Sequence, residues 1–158
     1  MKMRRITIRR SPSADTRSAD HMVTRTELRE STFLHVMDVH GAMHRLAMLI
    51  EEAGIRHDWT KKEHFDEFYQ QFHRAQETGE WGHGWYDRIH IVKERHHLRD
   101  RCPDDVNLID VLEMLCDNVM AGLARSGEYR EEIPDTEMLL RAYRNTARLL
   151  VENTEVVE

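Results

Sequence analysis

At 158 residues, with 40% hydrophobic content, the chain has the size and apolar content of one compact domain with one core, and no second independent domain is expected. The net charge of -6 argues against a general nucleic-acid binder, and Cys102 and Cys116 can supply neither a disulfide framework nor a thiolate zinc site, which points to a reducing cytoplasm. No run approaches the roughly 20 apolar residues of a membrane span, and the start lacks the apolar core of a signal peptide, so a soluble cytoplasmic protein is expected.

Residues 1–25 read as a flexible N-terminal arm, although the alternation Arg5-Ile6-Thr7-Ile8-Arg9 would also suit an edge strand. The remainder, 26–158, reads as all-α. Apolar spacing predicts a helix from about Glu27 to Ala53, with Gly54 just past its end. A second helix is expected from about His57 to Thr78, carrying Phe65, Phe68, Tyr69 and Phe72 on one face as core. Gly79 to Gly84 form a Gly-rich loop, in which Trp81, with Trp85 and Tyr86 beyond it, could make a lid or a dimer contact. A short helix is predicted for Trp85 to His97, a loop from Arg99 to Asn107 that contains Pro103, and two final helices over about Asn107–Arg125 and Pro134–Glu152. The expected architecture is a bundle of five to six helices.

Eleven histidines are the anomaly of composition, and the question is which of them lie on faces that should be apolar. At about 100° per residue, His35 falls within the stripe Val39, Ala42, Leu46 and Leu49, where it needs a hydrogen bond or a metal. His40 and His44 have an i, i+4 spacing but no HExxH glutamate, and read as surface. On the short helix, His90 and His97 would share a face, and His90 stands between Ile89 and Ile91. Asp110, Glu113 and Asp117 form one strip on a helix otherwise covered by Val111, Leu112, Leu115, Cys116, Val119 and Leu123. Periodicity favours a solvent edge for that strip; on a central helix it would instead face an internal pocket, where a cation makes it tolerable.

The adjacent pair His57-Asp58 at a helix start can bind one cation from two sides. With His35 before it and Asp117 after it, the order resembles the HD-domain superfamily: a histidine, a His-Asp doublet, then a distant aspartate. More narrowly, the chain resembles an uncharacterised family of small HD-like proteins frequent in bacteriophages and bacteria. Four segments carry this: His35-Val36-Met37-Asp38-Val39; His57-Asp58-Trp59-Thr60-Lys61, where the family usually has Ser in place of Thr60; His90 with His96-His97; and Leu108 to Asp117.

The resemblance implies an HD-like helical domain and a metal held by His35, His57, Asp58 and Asp117, with His90 and His96 or His97 available for a second ion bridged by Asp58. Imidazoles and carboxylates without thiolates suit Mn, Fe, Co, Ni or Zn, as one or two ions. The expected activity is phosphohydrolysis of a small phosphate ester, a nucleotide or nucleotide-derived signal, by metal-activated water. Asp58, Lys61 and His90 are the candidate catalytic residues, His90 either as a ligand or as general acid and phosphate donor. Lys61 matches a lysine of the family pattern and could hold the phosphate; Arg88, Arg95 and Arg99 are further candidates. Two other readings stand beside this one: a di-iron oxygenase acting on a small organic substrate, and a non-catalytic phage-encoded binding protein on the same scaffold. A homodimer is also compatible with the sequence.

Overall fold

A computed structural model describes residues 5–9, 16–82, 84–129 and 133–157. Parts of the N-terminal arm and His83 of the Gly-rich loop lie outside these residues. The chain is 69% helical, all-α as expected, with one two-stranded sheet. Among the described residues no helix is long and apolar enough to cross a membrane. The chain divides into two compact units, one drawn from Met1–Leu49 and Ala147–Glu158, the other Ile50–Thr146.

In the first unit the alternating N-terminal run is a strand: β1 (Ile6–Arg9) pairs in parallel with β2 (Thr154–Val157), from Ile6 opposite Thr154 to Arg9 opposite Val157. Helix α1 (Arg25–Arg56) opens on a capping box, in which Thr24 Oγ1 accepts from the Glu27 N–H at 3.3 Å and Glu27 Oε2 accepts from the Thr24 N–H at 2.8 Å. Over its 32 residues only Ser31 is buried. The half-buried face is Leu34, Asp38, Gly41, Ala42, Arg45, Leu46 and Leu49, which includes Ala42, Leu46 and Leu49 of the expected stripe, while His35 and Val39 are exposed. The expected stripe therefore holds at its C-terminal half and excludes His35 and Val39. Phe33, Val36, Met37 and Met43 place apolar groups on several sides of α1, so the 3.6-residue period identified the helix without fixing the edge of its inner face.

In the second unit α1 continues through Gly54 to Arg56, and the left-handed residue that ends it is Asp58 rather than a glycine. The expected second helix is broken at His64 into α2 (Trp59–Glu63) and α3 (Phe65–Thr78), which stops at Gly79 with φ 74°. The predicted helix at 85–97 is a π-helical turn (Tyr86–His90) running into the three-residue α4 (Ile91–Lys93); the backbone becomes extended at Glu94. Helix α5 (Leu108–Ser126) starts from Asn107, whose side chain accepts from the N–H groups of Ile109 and Asp110, and α6 covers Thr136–Glu152. The core of this unit gathers Leu98, Val106, Met114, Met138 and Ala142. The irregular segment 94–107 thus contributes two of the core residues and is pinned at its end by Asn145 Nδ2, which donates to the carbonyls of Asp104 and Val106.

Candidate metal centre

Three irregular backbone features of the second unit aim the polar side chains. Asp58 is the only non-glycine residue with positive φ among those described (φ 56°, ψ 26°), a conformation costing about 1 kcal/mol that Asp tolerates better than most. It precedes α2 but makes no capping bond with its side chain, so the carboxylate is free to face the cluster. The π turn seats His90 at zero exposure, stacked on the buried Trp85 at 5.6 Å between ring centroids. The turn after Glu94 then brings back His96 and His97, the first 2% exposed.

Asp58, His90, His96 and His97 each offer one ligand atom, all within 4.8 Å of one another, and His57, His96 and Asp117 form a second such group. Such a cluster can hold a metal ion. Asp58 Oδ1 lies 3.3 Å from His90 Nε2 and 3.7 Å from His96 Nε2, and Oδ2 lies 3.7 Å from His57 Nε2. His57 Nε2 is 3.6 Å from Asp117 Oδ1, and the Nε2 atoms of His90 and His97 are 2.8 Å apart. Two of these atoms test the fit of a cation: Asp58 Oδ1 and His96 Nε2 are buried without a hydrogen-bond partner. Buried polar atoms are ordinarily satisfied, and a cation between this oxygen and this nitrogen would satisfy both.

Other residues set the charge of the group. Burial would raise the Asp58 carboxyl, but Lys61 Nζ, donating to Oδ2 at 2.6 Å, together with His57 and His90, holds it below its ordinary range. Burial pushes His90 down to about 3, assisted by Lys61 and His97, and lowers His97 as well. His96 moves the other way: burial lowers it, but Glu113, with Asp58 and Asp117, outweighs that effect and raises it. Glu113 Oε1 accepts from His57 Nδ1 at 3.0 Å and lies 3.0 Å from His96 Nδ1. Burial would raise Glu113 too, and these two imidazoles overcome it. Below His90, Thr60 Oγ1 is 2.7 Å from Nδ1 and donates to Glu94 Oε1 at 2.6 Å.

Lys61, Tyr86, His96, His97 and Asp117 line a cavity of about 670 Å³ that also carries Arg99 and Arg125. It adjoins a second cavity of about 430 Å³, with which it shares Lys61, Tyr86, Asp100 and Arg125 and whose walls include Phe68, Phe72 and Trp81. Burial, then Asp100 and the neighbouring aspartates, raises the Tyr86 phenol, which keeps its proton.

Most of the residues expected from sequence meet here, several for other reasons than those that suggested them. His90 and His97 converge through the π turn and the following bend rather than as one helical face. His35, an expected ligand, belongs to neither clustered group and is exposed on α1. His40 and His44 are exposed, as expected. Lys61, expected on substrate, is bonded to Asp58. Arg95, expected to bind substrate, is held by Asp110 through Nε and Nη2, both at 2.8 Å, and by Asp105, contacts that raise its guanidinium further. Arg88 is exposed and lines a different cavity, with Trp85, Gln71 and Ile89, that contains none of the clustered residues. The acidic strip divides: Asp110 closes the capping box of α5 and takes Arg95, while Glu113 and Asp117 join the cluster. Sequence reasoning missed Thr60, Glu94 and Arg125 as site residues, whereas Glu113 stood in the acidic strip and Tyr86 among the candidate lid residues. The spacing Glu113–Asp117, one helical turn, was the signal that placed Glu113 in that strip.

No family model, curated protein or solved structure matches this chain.

Proposed function

We propose that the chain is an HD-type, metal-dependent phosphohydrolase acting on a nucleotide or nucleotide-derived phosphate ester. The observation carrying this reading is the pair of unpartnered buried donors, Asp58 Oδ1 and His96 Nε2, beside a cavity that bears Lys61, Arg99 and Arg125. A nitrogen-rich donor set without thiolate suits Mn, Fe, Co, Ni or Zn. Asp58, His90, His96 and His97 would hold one ion, and His57, His96 and Asp117 could hold a second, with His90 and His97 standing in for the ligand that the HD pattern assigns to His35. A bound divalent ion supplies a water of lowered pKa and polarises the phosphoryl oxygen. The protein's own part is to hold the ester with its cations, which gain most where charge grows in the transition state, and to keep the His90 ring neutral and able to coordinate. The aromatic walls of the adjoining cavity support a substrate with a flat ring, as a nucleobase has.

Three cations, Lys61, Arg99 and Arg125, in a cavity that also carries Asp100 and Asp117 favour this reading over a di-iron oxygenase, which needs no anion site, and the buried ligand set favours it over a binding protein. The test is elemental analysis of protein purified without chelator, followed by assays of nucleoside monophosphates and bis(p-nitrophenyl) phosphate with each metal. Metal-dependent phosphate release is expected. A metal-loaded protein that consumes oxygen but releases no phosphate would assign the site to oxygenation, and a protein that retains no metal would remove both.

A further inference from the structure

Resting on the reading of the cluster as a metal site, we infer that Thr60 and Glu94 are positioning residues: a buried carboxylate–hydroxyl–imidazole chain that fixes His90 in the one tautomer able to coordinate. Thr60 is wholly buried, Glu94 is 5% exposed and His90 has no exposure, so water does not compete with any link of the chain. Glu94 Oε1 accepts twice from Thr60, from the backbone N–H at 2.8 Å and from Oγ1–H at 2.6 Å. A carboxylate only accepts, and the hydroxyl has one hydrogen, so its donation to Glu94 leaves Thr60 Oγ1 only lone pairs to offer the ring 2.7 Å away. The proton of neutral His90 must therefore sit on Nδ1. Its Nε2 lone pair then points toward Asp58 Oδ1 and His97 Nε2, where a cation would lie. Ligating histidines are commonly oriented by a carboxylate or carbonyl on the other ring nitrogen; here a hydroxyl is interposed, and the Glu94 carboxylate lies one bond further back.

Local chain geometry explains why these two residues do this. Glu94 follows His90 by four residues, and its N–H donates to the His90 carbonyl at 2.8 Å, so its side chain returns beneath the ring. Thr60 lies two residues after Asp58 on the first turn of α2, which links the placement of Asp58 and the tautomer of His90 to one short helix. Valine at position 60 would keep the shape and lose both hydrogen bonds; serine would keep the bonds and lose only the methyl.

The test uses the full chain with labelled histidine and Zn2+ as the probe. Long-range proton–nitrogen NMR spectra of the metal-free wild type are expected to give His90 as the Nδ1–H tautomer; an Nε2–H tautomer would overturn the inference without any variant. By calorimetry, Thr60→Val is expected to weaken Zn2+ binding by about 10- to 100-fold, with Thr60→Ser restoring it and Glu94→Gln, which keeps size, lying between. Equal losses in the valine and serine variants, or wild-type affinity in both the valine and the Glu94→Gln variants, would reduce Thr60 to packing. These readouts do not depend on turnover, so a protein that binds Zn2+ in this way yet hydrolyses no phosphate ester would remove the proposed activity and leave this inference standing.

Discussion

The histidines of α1 and those of segments 57–58 and 90–97 have had opposite fates. His35, His40 and His44 lie on a long regular helix, and all are exposed. His90 and His96, on a π turn and a bend, are almost wholly buried, and His57 sits in the turn that ends a helix. A regular helix spreads its side chains at fixed angles, so gathering several imidazoles on one point requires backbone that departs from the period. The left-handed Asp58, the π turn and the bend after Glu94 supply those departures. Convergence, more than composition, separates a histidine that can bind a cation from one that faces water.

The sharpest way to break this contrast is to remove one side chain from each set. Asp58→Ala is expected to reduce bound metal to less than about a tenth, since Asp58 faces both groups and outer partners alone already shift affinity 10- to 100-fold. His35→Ala should leave metal content and melting unchanged. If elemental analysis shows His35→Ala losing its metal, the four-residue HD pattern stands as the sequence suggested and the contrast fails.

Lys61→Ala sharpens the role of the residue bonded to Asp58. Turnover is expected to fall about 100-fold, as for removal of one transition-state donor, while Zn2+ affinity is retained or rises because a cation beside the ligand has gone. Loss of metal in this variant would make Lys61 a support for Asp58 rather than a phosphate contact.

Chelation should lower the melting temperature by several degrees, because a ligand at 100 times its Kd stabilises by about 2.7 kcal/mol. Scanning calorimetry with and without EDTA reads this directly, and an unchanged transition would count against a buried site.

Asp110→Ala probes the acidic strip. It removes the capping-box partner and the acceptor of Arg95, a loss of about 1 to 2 kcal/mol, with metal binding unaffected. A drop in Zn2+ affinity equal to that of Asp117→Ala would return Asp110 to the site.

The last effect, partly offset within the protein itself, is one of pH on the metal-free protein. His90 is lowered from 6.5 to about 3, so between those values the unfolded chain takes up a proton that the folded chain refuses, and stability from this group falls as pH drops through that window. The raised His96 acts in the opposite sense, stabilising below its unfolded value and losing that contribution as pH rises through its folded one. Melting from pH 7 to pH 4 should accordingly be flatter in His90→Asn than in wild type. A steeper profile in the variant would show that the buried ring does not resist protonation.

Residue spacing alone determined the helical class and the regions of α1, α5 and α6 to within a few residues, and it singled out the His57-Asp58 pair, His90 with His97, and the strip from Asp110 to Asp117; the resemblance to the HD pattern joined these, with His96, into one candidate site. These features are local: apolar period, caps and turn glycines act over one or two turns of chain. Which side of a helix faces inward was decided only in three dimensions. On α5, Asp110 is 4% exposed while Leu112 and Leu115 are 40% and 43% exposed, the reverse of what hydrophobicity predicts, because Arg95 arrives from another segment to neutralise the aspartate. The same holds for Thr60 and Glu94. Nothing in the spelling of positions 60 and 94 marks them as partners of His90, because the bonds that join them cross 30 and 34 residues of sequence and exist only once the turns between have closed.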